Sequence, residues 1–396
     1  MQNKTTKTRS TLGYYLLFIC LGFGMGITGP ALLSLADQTR STVGGIGTMF
    51  LIGSLGYTLG TIVGGRVFDR LPAGHLVLGV SQLISAGMLA AIPLVGSLPA
   101  MLLVVFVNGI PNGMINTGAN TLLMWTHGDK SGPYINGLHF CFGLGAFAAP
   151  TIYAIILGLG GTYQQAYWVL AAIAVPIALF MVFLQGSPAH PHKQPHEKIA
   201  NERESLLKSL PIVIAGLLFL FFYVGSEVTF GNWVATYAQT LNLAGAAQAA
   251  YLTSAFWLTF TLGRLIAIPL AARFKSQQIL VFALIACLAL AALVIALPNS
   301  LALLWVCTIG LGFFMAPVWP TGYNLAGQSV RLTATVSSVI LLGDSLGGMI
   351  LPALTGQVVE RFGASTMAWL VFGSLVGNLA MLWLILRLRN AEVRKA

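Results

Sequence analysis

Apolar runs of about twenty residues or more recur along this chain, parted by short polar intervals. A helix needs about that many apolar residues to cross a bilayer. Twelve such runs stand at 12–36, 44–66, 75–95, 99–124, 132–158, 165–185, 209–237, 248–272, 277–297, 300–325, 332–358 and 366–386. The one long polar interval, Gly186 to Lys208, is rich in His, Lys, Glu and Pro and divides the runs six and six. The pattern predicts an all-α membrane protein. A six-helix bundle covers residues 1–185, a linker 186–208, and a second six-helix bundle 209–396.

Composition removes the alternatives. The chain has 396 residues, 57% hydrophobic and only 8% charged, where a soluble domain carries roughly 25% charged. A soluble enzyme, a secreted domain and a disordered chain are excluded. The net charge of +10 does not point to nucleic acid, because the cations are scattered over short loops and the chain ends. Lys/Arg bias orients the chain. With a cytoplasmic N-terminus, seventeen of the twenty cations fall on inner segments, Arg40 and Arg361 lie in outer loops, and Arg264 falls within a span. Both termini are therefore expected in the cytoplasm. Cys20, Cys141, Cys287 and Cys307 each sit in a different apolar run without paired spacing, which suits small core residues rather than disulfides or metal ligands. The basic start MQNKTTKTRS leads into a run long enough to span and lacks a cleavage pattern, so no cleavable signal is expected.

The two halves look like copies. GAFAAP at Gly145–Pro150 recurs as GGMILP at Gly347–Pro352, an offset of 202. LGTIVGGRVFDR (Leu59–Arg70) lies opposite LGRLIAIPLAAR (Leu262–Arg273) at 203. Two matches at nearly one offset, each in corresponding spans, imply a parallel six-helix repeat. Glycines interrupt spans one, four, seven and ten, joined by Pro30, Pro111, Pro317 and Pro320 in three of them, and these spans are the first of each three-helix unit. That leaves two readings open: helices broken around a cavity, or helices packed backbone to backbone.

The loop GGRVFDRLPAGH (Gly64–His75) resembles the signature loop of the major facilitator superfamily. Gly65, Asp69 and Arg70 match it, Gly74 is displaced, and His75 stands where the family has a basic pair. With twelve spans in two sixfold halves, the resemblance covers the whole chain. It implies that Gly65 lets the second helix approach the eleventh. It also implies that Asp69 meets that helix's positive N-terminal end, latching a cytoplasmic gate. Three passages are similar to the fucose–galactose–glucose symporters and their sodium-dependent glucose relatives. They are the Asn-rich fourth span with INGLHFCFGLGAFAAP (Ile135–Pro150), VGSEVTFGNWVATY and SAFWLTFTLGR. A hexose is the substrate class this second resemblance implies.

Ionisable groups at bilayer depth are costly and mark functional candidates. By the ~1.5 Å helical rise, Asp344, Glu227 and Arg264 all fall within roughly 6 Å of the midplane. Their repeat partners are Gly24, Thr61 and Phe142, so the charge belongs to the second half alone. Two carboxylates against one arginine make a site able to change protonation state. Glu227 is the first candidate for cation coupling and Asp344 the second, with Arg264 as their counter-ion or as a structural pair to one of them.

The first half offers amides instead. Asn108, Asn112, Asn116 and Asn120 recur every four residues along span four, forming one stripe. Asn136 and His139 on span five lie at the depth of Asn116 and Asn120. Amides supply donors and an acceptor, as a polyol requires; an interhelical hydrogen-bond ladder is the competing reading. Asn112, Asn116, Asn120, Asn136, His139 and Asn324 are the expected polar substrate contacts, with Trp233, Trp257 and Tyr323 as ring faces. Trp319, Phe256 and Tyr237 flank them, Tyr237 at belt depth. His190, His192 and His196 read as a solvated linker rather than a metal site.

The resulting expectation is a non-enzymatic secondary transporter in a bacterial inner membrane, a monomer in the lipid bilayer. It would carry a neutral sugar-like solute with a proton or sodium ion by alternating access. It needs no cofactor beyond that transported ion. An exporter of drugs or amphipathic lipids is the rival, although span five departs from the antiporter pattern G-x-x-x-G-P-x-x-G-G and the Asn stripe is polar. An intramembrane enzyme or a sensor lacks, respectively, a catalytic constellation and a signalling domain.

Overall fold

The computed structural model describes residues 4–188, 210–329 and 334–393. From residue 189 onward the expected linker, with His190, His192 and His196, lies outside the described residues. The first half holds α1 (Lys4–Gln38), α2 (Val43–Arg70), α3 (Gly74–Ala91), α4 (Leu98–His127), α5 (Gly132–Gly158) and α6 (Tyr163–Phe183). The second half holds α7 (Leu210–Thr240), α8 (Ala246–Arg273), α9 (Ser276–Ala296), α10 (Leu301–Met315), α11 (Val318–Ser329), α12 (Ala334–Phe362) and α13 (Thr366–Val393). Twelve helical stretches among the described residues are long and apolar enough to cross a membrane. The tenth is α10 and α11 end to end. Lipid offers the backbone no partners, so each span must satisfy its own N–H and C=O groups.

Among the described residues only the tenth span is divided. Proline lacks an N–H and clashes with the carbonyl four residues earlier, and α10 stops two residues before Pro317. The Tyr223 hydroxyl donates to the Met315 carbonyl at 2.7 Å, closing the polar group at the division. By contrast α1 runs through Pro30 and α4 through Pro111 without a break. In those helices most of the glycines, Gly22, Gly26, Gly29, Gly109, Gly113 and Gly118 among them, serve close packing, whereas Gly24 has open space beside it. The helix α1 also begins at Lys4, well before the apolar run, because hydropathy marks the span in lipid and not the end of the hydrogen-bonded ladder.

Glycine notches join helix pairs in each half, and equivalent notches meet equivalent partners. Gly60 of α2 lies against the Ile110 carbonyl of α4, and Gly109 of α4 against the Gly53 carbonyl. At the offset of 203, Gly263 of α8 lies against the Phe313 carbonyl of α10, and Gly312 against the Phe256 carbonyl. At 202, Gly145 on the Ile19 carbonyl matches Gly347 on the Phe221 carbonyl. None of these positions has room for a methyl group.

The buried apolar residues form two bodies. One runs through the second half and the part of the first half remote from the chain ends, taking in Ile27, Ala31, Trp233, Phe256 and Met315. The other is confined to the terminal end of the first half, around Tyr14, Phe18, Phe68 and Leu122. Within it His75 is buried; its Nε2 accepts from the Tyr14 hydroxyl at 2.8 Å and its Nδ1–H donates to the Leu184 carbonyl at 3.2 Å. His75 thus ties the start of α3 to α1 and to the end of α6.

Gly60→Ala should lower thermal stability in detergent by roughly the 1–3 kcal/mol of an overpacked core. Gly65→Ala should leave it unchanged or raise it slightly through helix propensity, since nothing lies within 4 Å of that Cβ position. Fluorescence-detected size exclusion after heating checks both.

Candidate functional site

Charged and polar side chains from both halves converge along the inner stretches of their helices. Glu227 on α7 is 8% exposed and lies within electrostatic reach of Arg264 on α8 and Asp344 on α12. Asp344 in turn feels Arg264 and stands within hydrogen-bonding reach of Trp319 on α11. The Arg264 guanidinium lies 4.6 Å from the Phe260 ring centroid, and its buried Nε has no hydrogen-bond partner among the described residues. A cation over an aromatic face is held without being neutralised, so the positive charge stays available to both carboxylates. Tyr223, one turn before Glu227, completes the group.

Two residues of the first half reach the same charges. His139 on α5 is exposed, yet lies within reach of Arg264. Tyr57 on α2, also exposed, lies within reach of Asp344. Exposure together with a charge of the opposite half places both on the wall between the halves. Tyr57 was missed by the sequence reading. Its only signal was a lone hydroxyl in a glycine-rich helix.

The asparagine stripe divides along its length. Toward the end remote from the termini, the side-chain oxygens of Asn108 and Asn112 lie 3.1 and 2.8 Å from the Ser85 hydroxyl on α3. Those two join α4 to its neighbour, and Asn112 keeps its NH₂ group for other partners. Further along, Asn120 donates to the Asn116 carbonyl at 2.9 Å, and both are partly exposed. Asn136 is exposed on the same side of α5 as His139. Trp257 is 2% exposed, packed among Phe256 and Phe260, and its indole N–H has no partner among the described residues. Tyr323 is partly exposed and stacks on Trp319 at 5.7 Å; Asn324 is exposed. Tyr237 is buried at the far end of α7, its hydroxyl donating to the Pro298 carbonyl in the turn between α9 and α10 at 3.3 Å.

Access to this group is one-sided. Away from the chain ends the halves are shut together. The Gly44 N–H at the start of α2 donates to Glu360 Oε2 at 2.8 Å, and Gln357 Nε2 returns a bond to the Gly44 carbonyl at 2.9 Å. A carboxylate at a helix N-terminus is favoured by the unpaired N–H groups there. Beneath it Gly47 faces Gly356 and the Trp233 ring fills the seam, its N–H donating to the Pro352 carbonyl at 3.1 Å. Trp233 is therefore placed in the contact between halves and not on a cavity wall. Lower still, Gly29 packs on the Asn232 backbone, and the Thr151 hydroxyl donates to Ser254 Oγ at 3.0 Å.

At the other end the halves part. Most of α8 from Leu265 to Arg273 is exposed on every face, whereas a helix packed in a bundle exposes only one. On α2 only Gly56, Gly60, Gly64 and Phe68 are buried along the stretch 55–70. At Gly65 no atom lies within 4 Å of a Cβ position, so the close approach implied for this glycine is not made in this conformation. Asp69 and Arg70 are exposed on the same stretch. A cleft thus opens from the terminal side toward Arg264, Asp344 and His139. No group of three His, Cys, Asp or Glu residues suited to a metal occurs among the described residues.

The Major Facilitator Superfamily matches this chain over residues 14–352. The sodium-dependent glucose transporter 1A of Mus musculus is 29% identical, covering 86% of this chain and 88% of its own length. The sodium-dependent glucose transporter 1 of Xenopus laevis is 30% identical, covering 85% and 73%. Among solved structures, a D-xylose–proton symporter superposes with a TM-score of 0.77 at 14% identity, over 95% of this chain and 97% of that one. That last likeness is one of fold.

A chain carrying Thr151→Cys with Ser254→Cys should form a disulfide under mild oxidant, because the two hydroxyl oxygens already touch and sulfurs would be brought within bonding reach. Gel mobility after limited proteolysis between residues 186 and 208 reads the cross-link. Its absence would place the halves apart at this end.

Proposed function

The chain belongs to the Major Facilitator Superfamily, an integral multi-pass membrane protein, and from that premise we propose that it carries a hexose across the membrane together with a proton or a sodium ion. The observation that carries the reading is the meeting of unlike walls across one cleft. Glu227, Asp344 and Arg264 come from the second half; Asn116, Asn120, Asn136 and His139 come from the first.

Each wall suits one passenger. A neutral sugar presents hydroxyls that donate and accept, and amides answer both. Asn116, Asn120, Asn136 and the NH₂ of Asn112 would bind hydroxyls from one side. From the other side Tyr323 and Asn324 would offer a ring face and an amide, and Trp257, whose buried N–H has no partner among the described residues, would add a donor on opening. The carboxylates take the cation. With both ionised against one arginine, the site holds an uncompensated negative charge at bilayer depth, which is costly. A bound proton or sodium ion removes that cost and lets the halves close over the site. Release into the cleft restores water to the carboxylates. The coupling ion is thus cargo, and no other cofactor enters the scheme.

The positive-inside rule assigns the open, terminal side to the cytoplasm. The state described is then the one that discharges its load inward, with Glu360, Gly44 and Trp233 as the outer closure. Gly65, Asp69 and Arg70 would close the inner end in the opposite state, where the carboxylate meets the start of the eleventh span. Compact loops support a bacterial inner membrane. Each copy contains a whole cleft, so a monomer suffices.

Reconstituted into liposomes, the protein should accumulate a hexose from a panel when either a proton or a sodium gradient is imposed, not both. Glu227→Gln should abolish that accumulation and spare substrate counterflow; accumulation at the wild-type level would remove Glu227 from coupling. Asn116→Ala and Asn120→Ala should each raise KM about five- to tenfold, the loss of one hydrogen bond to substrate. Outward movement of amphipathic dyes with no sugar uptake would replace this reading with an exporter.

A further inference from the structure

We propose that the first half carries a binding site for a phosphate-bearing anion at its terminal end, between the start of α1 and the turn joining α4 to α5. A cavity of about 380 Å³ lies there, walled by Lys7, Thr8 and Tyr15 of α1, His127 at the end of α4 and Tyr134 at the start of α5. It belongs neither to the charged group of the second half nor to the asparagine stripe.

The wall carries one cation among hydroxyl groups and rings. Lys7 brings a full positive charge and makes no ion pair among the described residues. Behind it, the Thr11 hydroxyl donates to the Lys7 carbonyl at 2.8 Å, which uses its one proton. His127 Nε2, 2.8 Å from the same oxygen, must therefore be the donor of that contact. The imidazole is fixed a second time by stacking on Tyr134, with ring centroids 3.5 Å apart and planes 12° off parallel. Two phenols and a threonine hydroxyl complete the inventory, and no carboxylate lies on the wall. A neutral sugar would leave the ammonium uncompensated. A phosphate supplies several strong acceptor oxygens and a charge to match it, and lysine binds phosphate as a point charge.

Position adds to chemistry. Lys7 precedes the apolar run of span one by about a turn, and His127 and Tyr134 flank the polar turn after span four. Arg66, Arg70, Arg273 and Lys275 lie on the same membrane face. This is the level of phospholipid phosphates, and Leu12, 51% exposed on the cavity's edge, offers an apolar lip for the start of an acyl chain. The same donors would hold a soluble phosphate ester.

The test follows thermal stability of the purified chain in a neutral detergent, so it does not depend on what the cleft carries. Phosphatidylglycerol, phosphatidylcholine or glycerol 1-phosphate is titrated in. Phosphatidylglycerol should raise the wild-type melting temperature and phosphatidylcholine should not. Lys7→Gln should need about tenfold more lipid for the same shift, the loss of one charge-assisted hydrogen bond. Lys7→Arg should restore most of the response, and Arg273→Gln, on the same face but off the cavity, should titrate as wild type. A shift with glycerol phosphate alone that Lys7→Gln weakens likewise supports the site and assigns it to a soluble ester. Equal titration of wild type and Lys7→Gln, equal weakening in Arg273→Gln, or no shift with either phosphate would overturn the proposal.

Discussion

Lipid tails are as apolar as leucine, so burying apolar surface does not hold one membrane helix to another. Close backbone contact has to do it, and here that contact is made by glycine notches pressed onto carbonyls. Gly60 on Ile110 and Gly109 on Gly53 are repeated by Gly263 on Phe313 and Gly312 on Phe256. A notch fixes both the distance and the register of a helix pair, since moving along by one residue puts a side chain where the glycine was. The same pair of contacts in each half therefore gives two like frames from sequences that share few side chains.

On these like frames the halves carry unlike chemistry. The frame position that holds Thr61 in the first half holds Arg264 in the second. The arginine is borne over the Phe260 ring with its Nε unpaired among the described residues, beside Glu227 and Asp344. A cation shared between two carboxylates leaves one charge always to be balanced. On the proposed reading that imbalance is relieved by a passing ion or by water, which would connect the electrostatics to the motion of the halves.

Motion needs a seam that is firm at one end and free at the other. The firm end combines a carboxylate at a helix start, Glu360 on Gly44, with a wedge, Trp233 between Gly47 and Gly356. The free end holds Gly65 with empty space beside it and α8 exposed on all faces. On the proposed reading the free end would close by the same physics, an acid near unpaired helix N–H groups and a glycine that permits close approach. Exchanging which end is engaged requires no new type of contact.

The number of spans, their order, the sixfold repeat and the place of the three charges inside apolar spans were legible in the chain, because twenty apolar residues can do little else than cross a bilayer. The family signature at Gly65, Asp69 and Arg70 was legible for the same local reason. What glycine-rich spans do was not. Proline divides the tenth span at Pro317 but not the first at Pro30, because the freed carbonyl needs a partner such as Tyr223, and partners come from other helices. Likewise Asn108 and Asn112 look identical to Asn116 and Asn120 in sequence, yet Ser85 of α3 engages only the first two. Trp233 reads as a ring for a sugar until Gly356, far away in the chain, is seen beside it. Local spacing determined which side chains lie at which depth; only the packing of distant helices decided which of them face the cleft, the seam or a neighbour.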